Sequence, residues 1–188
     1  DPRSGSTVEE VLLNAGGTVA PGSLSSGSRT AGAATAVRAF PGEREMLLEA
    51  RRRIVDLDPD IITGWNVVDF DIRVLARRFA ALGLPFDIGR TDGAASFLAR
   101  EDDDGITRWK RSKAVVPGRQ VLDALWLVRL AGMGLEDYRL ETVAQALLGR
   151  GKHPIAQGPD ESASQAVSRL YRDDPATLCA YCLEDARL

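Results

Sequence analysis

Where a β-branched run gives way to a helical stripe, in ITGWNVVDFDIRVLARR, the sequence sets an amide and two carboxylates: Asn66, Asp69 and Asp71. Asp69 is a suitable N-cap, which puts Asp71 in the first helical turn, where the helix dipole favours an anion. Asp71 also lies one turn before Leu75, at the edge of the core-facing stripe. Asn66 falls at the strand end, in the kind of crevice where open α/β sheets bind ligands. A second position of interest lies far along the chain. In PATLCAYCLEDARL, Leu178, Tyr181, Asp185 and Leu188 recur at spacings that share one helix face, with Cys182 and Ala186 beside them. Asp185 interrupts an otherwise apolar strip, which is costly unless the carboxylate is paired or binds a metal. Tyr181 presents its hydroxyl to the same place, while Glu184 and Arg187 can point to water. By spacing alone each segment also has a purely structural account. Asp69 would cap, Asp71 complement the dipole and Asn66 make a turn, while Asp185 would be an acid at the rim of the strip, capping or pairing with an arginine.

The elements that must position these residues can be read from periodicity. Val8 to Asn14 predicts a short strand, AVRAF another, and PGEREMLLEARRRIVDLD a helix with Leu47, Ala50, Ile54 and Leu57 at helical spacing. Its Arg51 to Arg53 cluster reads as the wet face of that helix. DPDIITGW gives turn signals around a short strand, and the helix after it carries Ile72, Leu75, Phe79 and Leu82 on one side and stops at Gly83. ITRWKRSKAVV and RQVLDAL predict two strands separated by the Pro117-Gly118 turn, and Asp123 is placed to N-cap the ALWLVRL helix that follows. The remainder reads as helices over YRLETVAQALLG, ESASQAVSRLYRD and Pro175 to Leu188. Residues 15–36, rich in Gly, Ser, Thr and Ala without apolar period, predict a flexible surface loop.

The totals bound the answer. At 188 residues, 44% apolar and 27% charged, the chain has the balance of one globular domain, taken as 1–188. No run approaches the ~18 apolar residues of a membrane span, and DPRSGSTVEE lacks the regions of a secretory signal. The expectation is a cytoplasmic protein with no membrane partner. A net charge of −3 supplies no global basic field, so nucleic-acid binding would rest on a local patch. RWKRSK (108–113) is one candidate, equally readable as alternating exposed strand residues. REDDDG reads as solvated acids. Cys179 and Cys182 form a lone C-x-x-C, and His153 lies far away in sequence, so no zinc site is expected.

Read together, the two segments resemble a family. Asn66-Val-Val-Asp-Phe70-Asp71 is similar to the second exonuclease motif of the family B DNA polymerases, and Tyr181-Cys-Leu-Glu-Asp185 to the third, Y-x-x-x-D. DPDIITGWNVVDFDIRVLARR, GRQVLDALWLV, YRLETVAQALLG and DPATLCAYCLEDARL are similar, in order and spacing, to the bacterial DNA polymerase II type of the family. The resemblance covers Phe40 to Leu188, with the glycine-rich loop outside it. It implies a ribonuclease-H-like 3′–5′ exonuclease fold of α/β class, a central mixed sheet flanked by helices. It also implies a proofreading activity on the single-stranded 3′ end of DNA, assisted by two Mg2+ or Mn2+ ions, and a polymerase domain in the same parent chain, serving replication or repair. Asp71 and Asp185 would be metal ligands, Tyr181 would orient the attacking water, and Asn66 and Phe70 would contact the terminal nucleotides.

The family pattern has a further motif, D-x-E, and none occurs before Asn66. Glu9 and Glu10 cannot copy it, since adjacent strand residues point to opposite faces. With Asp1 in place of a Met, the expectation is a fragment lacking the first strand and the polymerase domain, inactive alone. The alternative is an exonuclease-like module without catalysis, kept as a scaffold or a single-strand DNA-binding element; a stand-alone nuclease is a third reading.

Overall fold

A computed structural model of the chain describes residues 7–16, 33–99, 112–151 and 155–188. Most of the loop expected at 15–36, the REDDDG acids, Arg108 to Arg111 and His153 lie outside the described residues. The chain divides into two compact units, residues 47–134 and residues 1–46 with 135–188.

The unit of residues 47–134 takes most of α1 (Glu43–Leu57), then β3 (Ile61–Gly64), a π-helical turn (Val68–Ile72), α2 (Arg73–Ala81), β4 (Ser96–Leu98), β5 (Lys113–Val115), β6 (Gln120–Asp123) and α3 (Ala124–Leu130). The predicted stripe on α2 is the buried one: Ile72 and Phe79 are almost fully enclosed, and the Phe79 ring meets Phe86 with centroids 4.8 Å apart. Leu84, Ile88, Ala95 and Val116 are buried in the same unit. Gly83 ends the helix with φ +62, as its position predicts. Strand β3 pairs with β6 in parallel, Ile61 opposite Gln120 and Gly64 opposite Asp123. An arginine clamp fixes the start of this pair. Arg119, whose side chain is 1% exposed, donates to the carbonyls of Pro59 (2.5 Å) and Ile88 (2.8 Å) and to Asp58 (2.8 Å). Arg90 holds Asp58 and Asp60, each at 2.6 Å, and Arg90 first, then Arg119, keep the Asp58 carboxyl below the usual carboxylate range.

The other unit carries β1 (Thr7–Asn14), β2 (Ala33–Phe40), α4 (Leu140–Leu148), α5 (Ala163–Asp173) and α6 (Pro175–Arg187). β1 and β2 pair in parallel, Thr7 opposite Ala33 and Asn14 opposite Phe40. Helix ends follow the sequence signals. Ser162 and Gln165 form a capping box on α5, Asp174 accepts from the Thr177 N–H at the start of α6 with Pro175 at the first turn, and Gly149 closes α4 with φ +65. Leu13, Val143, Ala144, Ala166, Leu170, Leu178 and Cys179 are buried.

Three expectations change. The described strands form three separate two-stranded sheets, β1-β2, β3-β6 and β4-β5, rather than one central sheet. Strand β5 leaves the Pro117-Gly118 turn to pair antiparallel with β4, while β6 pairs with β3, so the two predicted neighbours meet only at the Val116–Arg119 bridge. And Asp69 does not cap the helix: the helical path starts at Val67, without a side-chain cap, because Ile72 N–H reaches back to the Val67 carbonyl at 2.9 Å and absorbs an extra residue. Of the Arg51 to Arg53 cluster, Arg52 is exposed and pairs along its own helix with Glu49 and Asp56, as a wet face should, whereas Arg51 grips Asp87 with two nitrogens.

Candidate active site

The turn that carries Asn66, Phe70 and Asp71 is built from the end of β3. After Gly64 the chain enters the left-handed region at Asn66, φ +58, a conformation that asparagine tolerates better than most residues. Phe70 N–H then bonds the Asn66 carbonyl at 3.0 Å and the π-helical turn begins. Within it Val68 and Ile72 point inward, while Phe70 stands 59% exposed and Asp71 is exposed beside it. An inserted residue of this kind rotates the side chains that follow, a device common at functional sites.

Asp123 locks the turn to the sheet. It lies at the end of β6 opposite Gly64 and is 8% exposed. One carboxylate oxygen accepts from Leu125 N–H at 3.1 Å, the N-cap bond predicted for α3; the other accepts from Val68 N–H at 3.2 Å. The second bond spans 55 positions of sequence, and no local pattern announces it.

Asp71 has open solvent on one side and protein on the other, and the protein side decides its protonation. Partial burial pushes its carboxyl up from the ordinary range; the nearby Asp123 charge adds to this, and a backbone N–H opposes it. The folded protein therefore holds this proton more tightly than the unfolded chain does. The associated stability is complete below the unfolded value, about 3.9, and is lost as pH rises through the folded one. Asp71→Asn, neutral at every pH, should raise the melting temperature slightly at pH 7 and give no advantage at pH 3. Paired thermal melts at the two pH values check this.

The second motif lies in the other unit, on α6. Leu178 is buried, and Tyr181, Asp185 and Leu188 are half-buried, so the predicted row is the inward side of this helix. The Oδ1 atom of Asp185 is closed off from solvent. Cys182 is exposed and Cys179 buried, both as free thiols. Glu184 and Arg187, which spacing lets point to water, lie at the surface, Arg187 exposed and Glu184 half-buried, and are paired there: Arg187 binds Glu9 of β1 through two bonds of 2.8 and 2.6 Å and Glu184 at 3.3 Å. Glu9 is thus committed to an arginine with both oxygens.

These donors can be tested against a divalent-ion pair. Hard cations take oxygen ligands, and the carboxylates are of the right type. Among the described residues, however, no three His, Cys, Asp or Glu side chains gather where they could hold a metal ion. Glu9 is held by Arg187 and Asp123 by two backbone N–H groups. Asp71 and Asp185, the carboxylates left by the motifs, fall short of the ligand set that two ions require.

Comparison with known proteins identifies the family. Residues 23–143 match the family described as DNA polymerase family B, exonuclease domain. The match begins at Ser23, inside the glycine-rich stretch rather than at Phe40. It includes Asn66, Phe70, Asp71 and Asp123, and it ends before Tyr181. The chain is 32% identical over 150 residues to DNA polymerase II of Escherichia coli (strain K12), a span covering 79% of this chain and 18% of that protein. It is 30% identical over 161 residues to the DNA polymerase delta catalytic subunit of Arabidopsis thaliana (81% and 14%), and 30% over 146 residues to a DNA polymerase of Thermococcus kodakarensis (78% and 8%). The chain thus spans less than a fifth of the length of these relatives. It belongs to the exonuclease-domain family of the family B DNA polymerases.

Proposed function

We propose that this chain is the 3′–5′ proofreading portion of a family B DNA polymerase, a ribonuclease-H-like domain that removes nucleotides from the 3′ end of single-stranded DNA in the cytoplasm. A polymerase domain in the same parent protein would supply and receive that end. The observation that carries the reading is the exposed Phe70–Asp71 pair, raised on a π-helical turn at the carboxyl end of a parallel strand. Phe70 offers an aromatic face to any base, and the Asn66 amide would bond the terminal nucleotide. Tyr181 would orient the attacking water through its hydroxyl. Asp71 and Asp185 would each serve as a divalent-ion ligand together with further carboxylates, and such ions would ease loss of a proton from the attacking water and offset charge on the leaving oxygen.

Because the described residues gather no complete donor set, the 188-residue chain alone should leave a 3′-labelled single strand essentially intact in the presence of manganese. Robust shortening that Asp185→Ala abolishes would refute the incomplete-site argument while upholding the exonuclease. A longer protein from the same gene that carries a D-x-E should shorten the strand, and Asp71→Ala or Asp185→Ala should slow it by at least about 100-fold, more than is typical for loss of a metal site's supporting residue. The same protein remaining inert would favour the second reading, a scaffold or single-strand-binding module without catalysis. The capture of Glu9 by Arg187 supports that alternative. No helix among the described residues is long and apolar enough to cross a membrane.

A further inference from the structure

The helix leaving the candidate site has the chemistry of a path for nucleic acid. Its inward side is Ile72, Leu75, Phe79 and Leu82, and its outward side begins with Phe70 and continues through Val74, Arg77 and Ala81. Phe70 is 59% and Val74 41% exposed, so an aromatic ring and an aliphatic side chain meet water side by side, followed after a further turn by a guanidinium. Arg77 makes no ion pair or side-chain hydrogen bond among the described residues. Arg52 on α1, by contrast, is exposed but bound to Glu49 and Asp56. One turn before Arg77, Arg73 has its Nε closed off from solvent with no acceptor among the described residues. The outward row therefore ends in an open guanidinium, Arg77, about 10 Å along the helix from the ring and six positions beyond the exposed Asp71.

We propose that the outward face of α2 is a binding track for the single strand, with a base stacked on Phe70 and a backbone phosphate farther from the 3′ end held by Arg77. The proposal rests on the exonuclease reading and adds to it the route by which the strand leaves the site. An arginine suits the task because its planar fork meets phosphate oxygens in pairs, while a stacked ring accepts any base. Such a track has no sequence preference, as a proofreader of any 3′ end requires.

The test is fluorescence anisotropy with a 5′-labelled ten-nucleotide oligothymidine, in metal-free buffer, across a salt series. Phe70→Ala should weaken binding roughly 5- to 100-fold without changing the salt dependence. Arg77→Gln should weaken it about 3- to 10-fold at low salt and make the slope of log K against log salt shallower by about 0.7, the signature of one lost phosphate contact on a single strand. Arg77→Lys should keep the slope, and Arg52→Gln should change nothing. Circular dichroism checks that each exposed-residue variant keeps its fold. If Phe70→Ala weakens binding while Arg77→Gln leaves affinity and slope untouched, the track is wrong and the exonuclease reading stands. If the wild-type chain does not bind the oligonucleotide, or if Phe70→Ala has no effect, both fall.

Discussion

Asp123→Ala should lower the unfolding free energy by roughly 2–4 kcal/mol, because it strips two backbone N–H groups of their acceptor at once. Val68 N–H opens the π-helical turn and Leu125 N–H opens α3; both bond to this one carboxylate, which is 8% exposed. Removing it leaves the two donors facing a cavity rather than water, and the cost of an unsatisfied buried donor exceeds the net worth of the bond itself. Asp123→Asn discriminates further. Its single carbonyl oxygen can still cap α3, but its NH2 would then oppose the Val68 N–H, so about half of the loss should remain. Urea unfolding followed by circular dichroism reads both changes as shifts in midpoint at constant slope. An Asp123→Ala protein as stable as the wild type would mean that the turn bearing Asp71 is held by something else.

Phe79→Ala is expected to cost about 3–5 kcal/mol, the range for a large aromatic removed from a closed core. Phe79 is 1% exposed and its ring lies 4.8 Å from that of Phe86, so the substitution forfeits apolar burial and an aromatic pair together. Phe79→Leu keeps most of the volume and should lose about 1–2 kcal/mol. The functional corollary concerns α2, which this contact anchors to the segment after Gly83. A loosened α2 lets the preceding turn move, so Phe79→Ala should also weaken oligonucleotide binding at temperatures where the protein is still folded. Melting curves and anisotropy on the same samples check the two effects.

What the sequence reveals, and what it does not, divides along the range of the interactions. Helices with a continuous apolar stripe or a strong cap, such as those beginning at Ser162 and Asp174, are legible because periodicity and capping are local. The strands at Val8 to Asn14 and Ile61 to Gly64 are legible for the same reason. Strand β4 escapes such a reading: its three residues, Ser96 to Leu98, are too few to show alternation and depend on Val115 to Lys113 as partners. Asp69 misleads because capping propensity says nothing of a π-helical turn, whose extra residue is accommodated by the packing of Val68 and Ile72. In the candidate site, Asn66, Phe70 and Asp71 are marked by their types, but the bond from Val68 to Asp123 and the capture of Glu9 by Arg187 join remote segments. Helix geometry likewise turns Arg187 toward the surface without naming Glu9 as its neighbour.

The left-handed backbone at Asn66 has a practical consequence. Glycine adopts that conformation more easily than any other residue, so exchanging the amide for a hydrogen leaves the chain's course intact. Side-chain chemistry and main-chain geometry can therefore be separated at this one position: a glycine there keeps the bend and silences the amide, whereas a valine would disturb both.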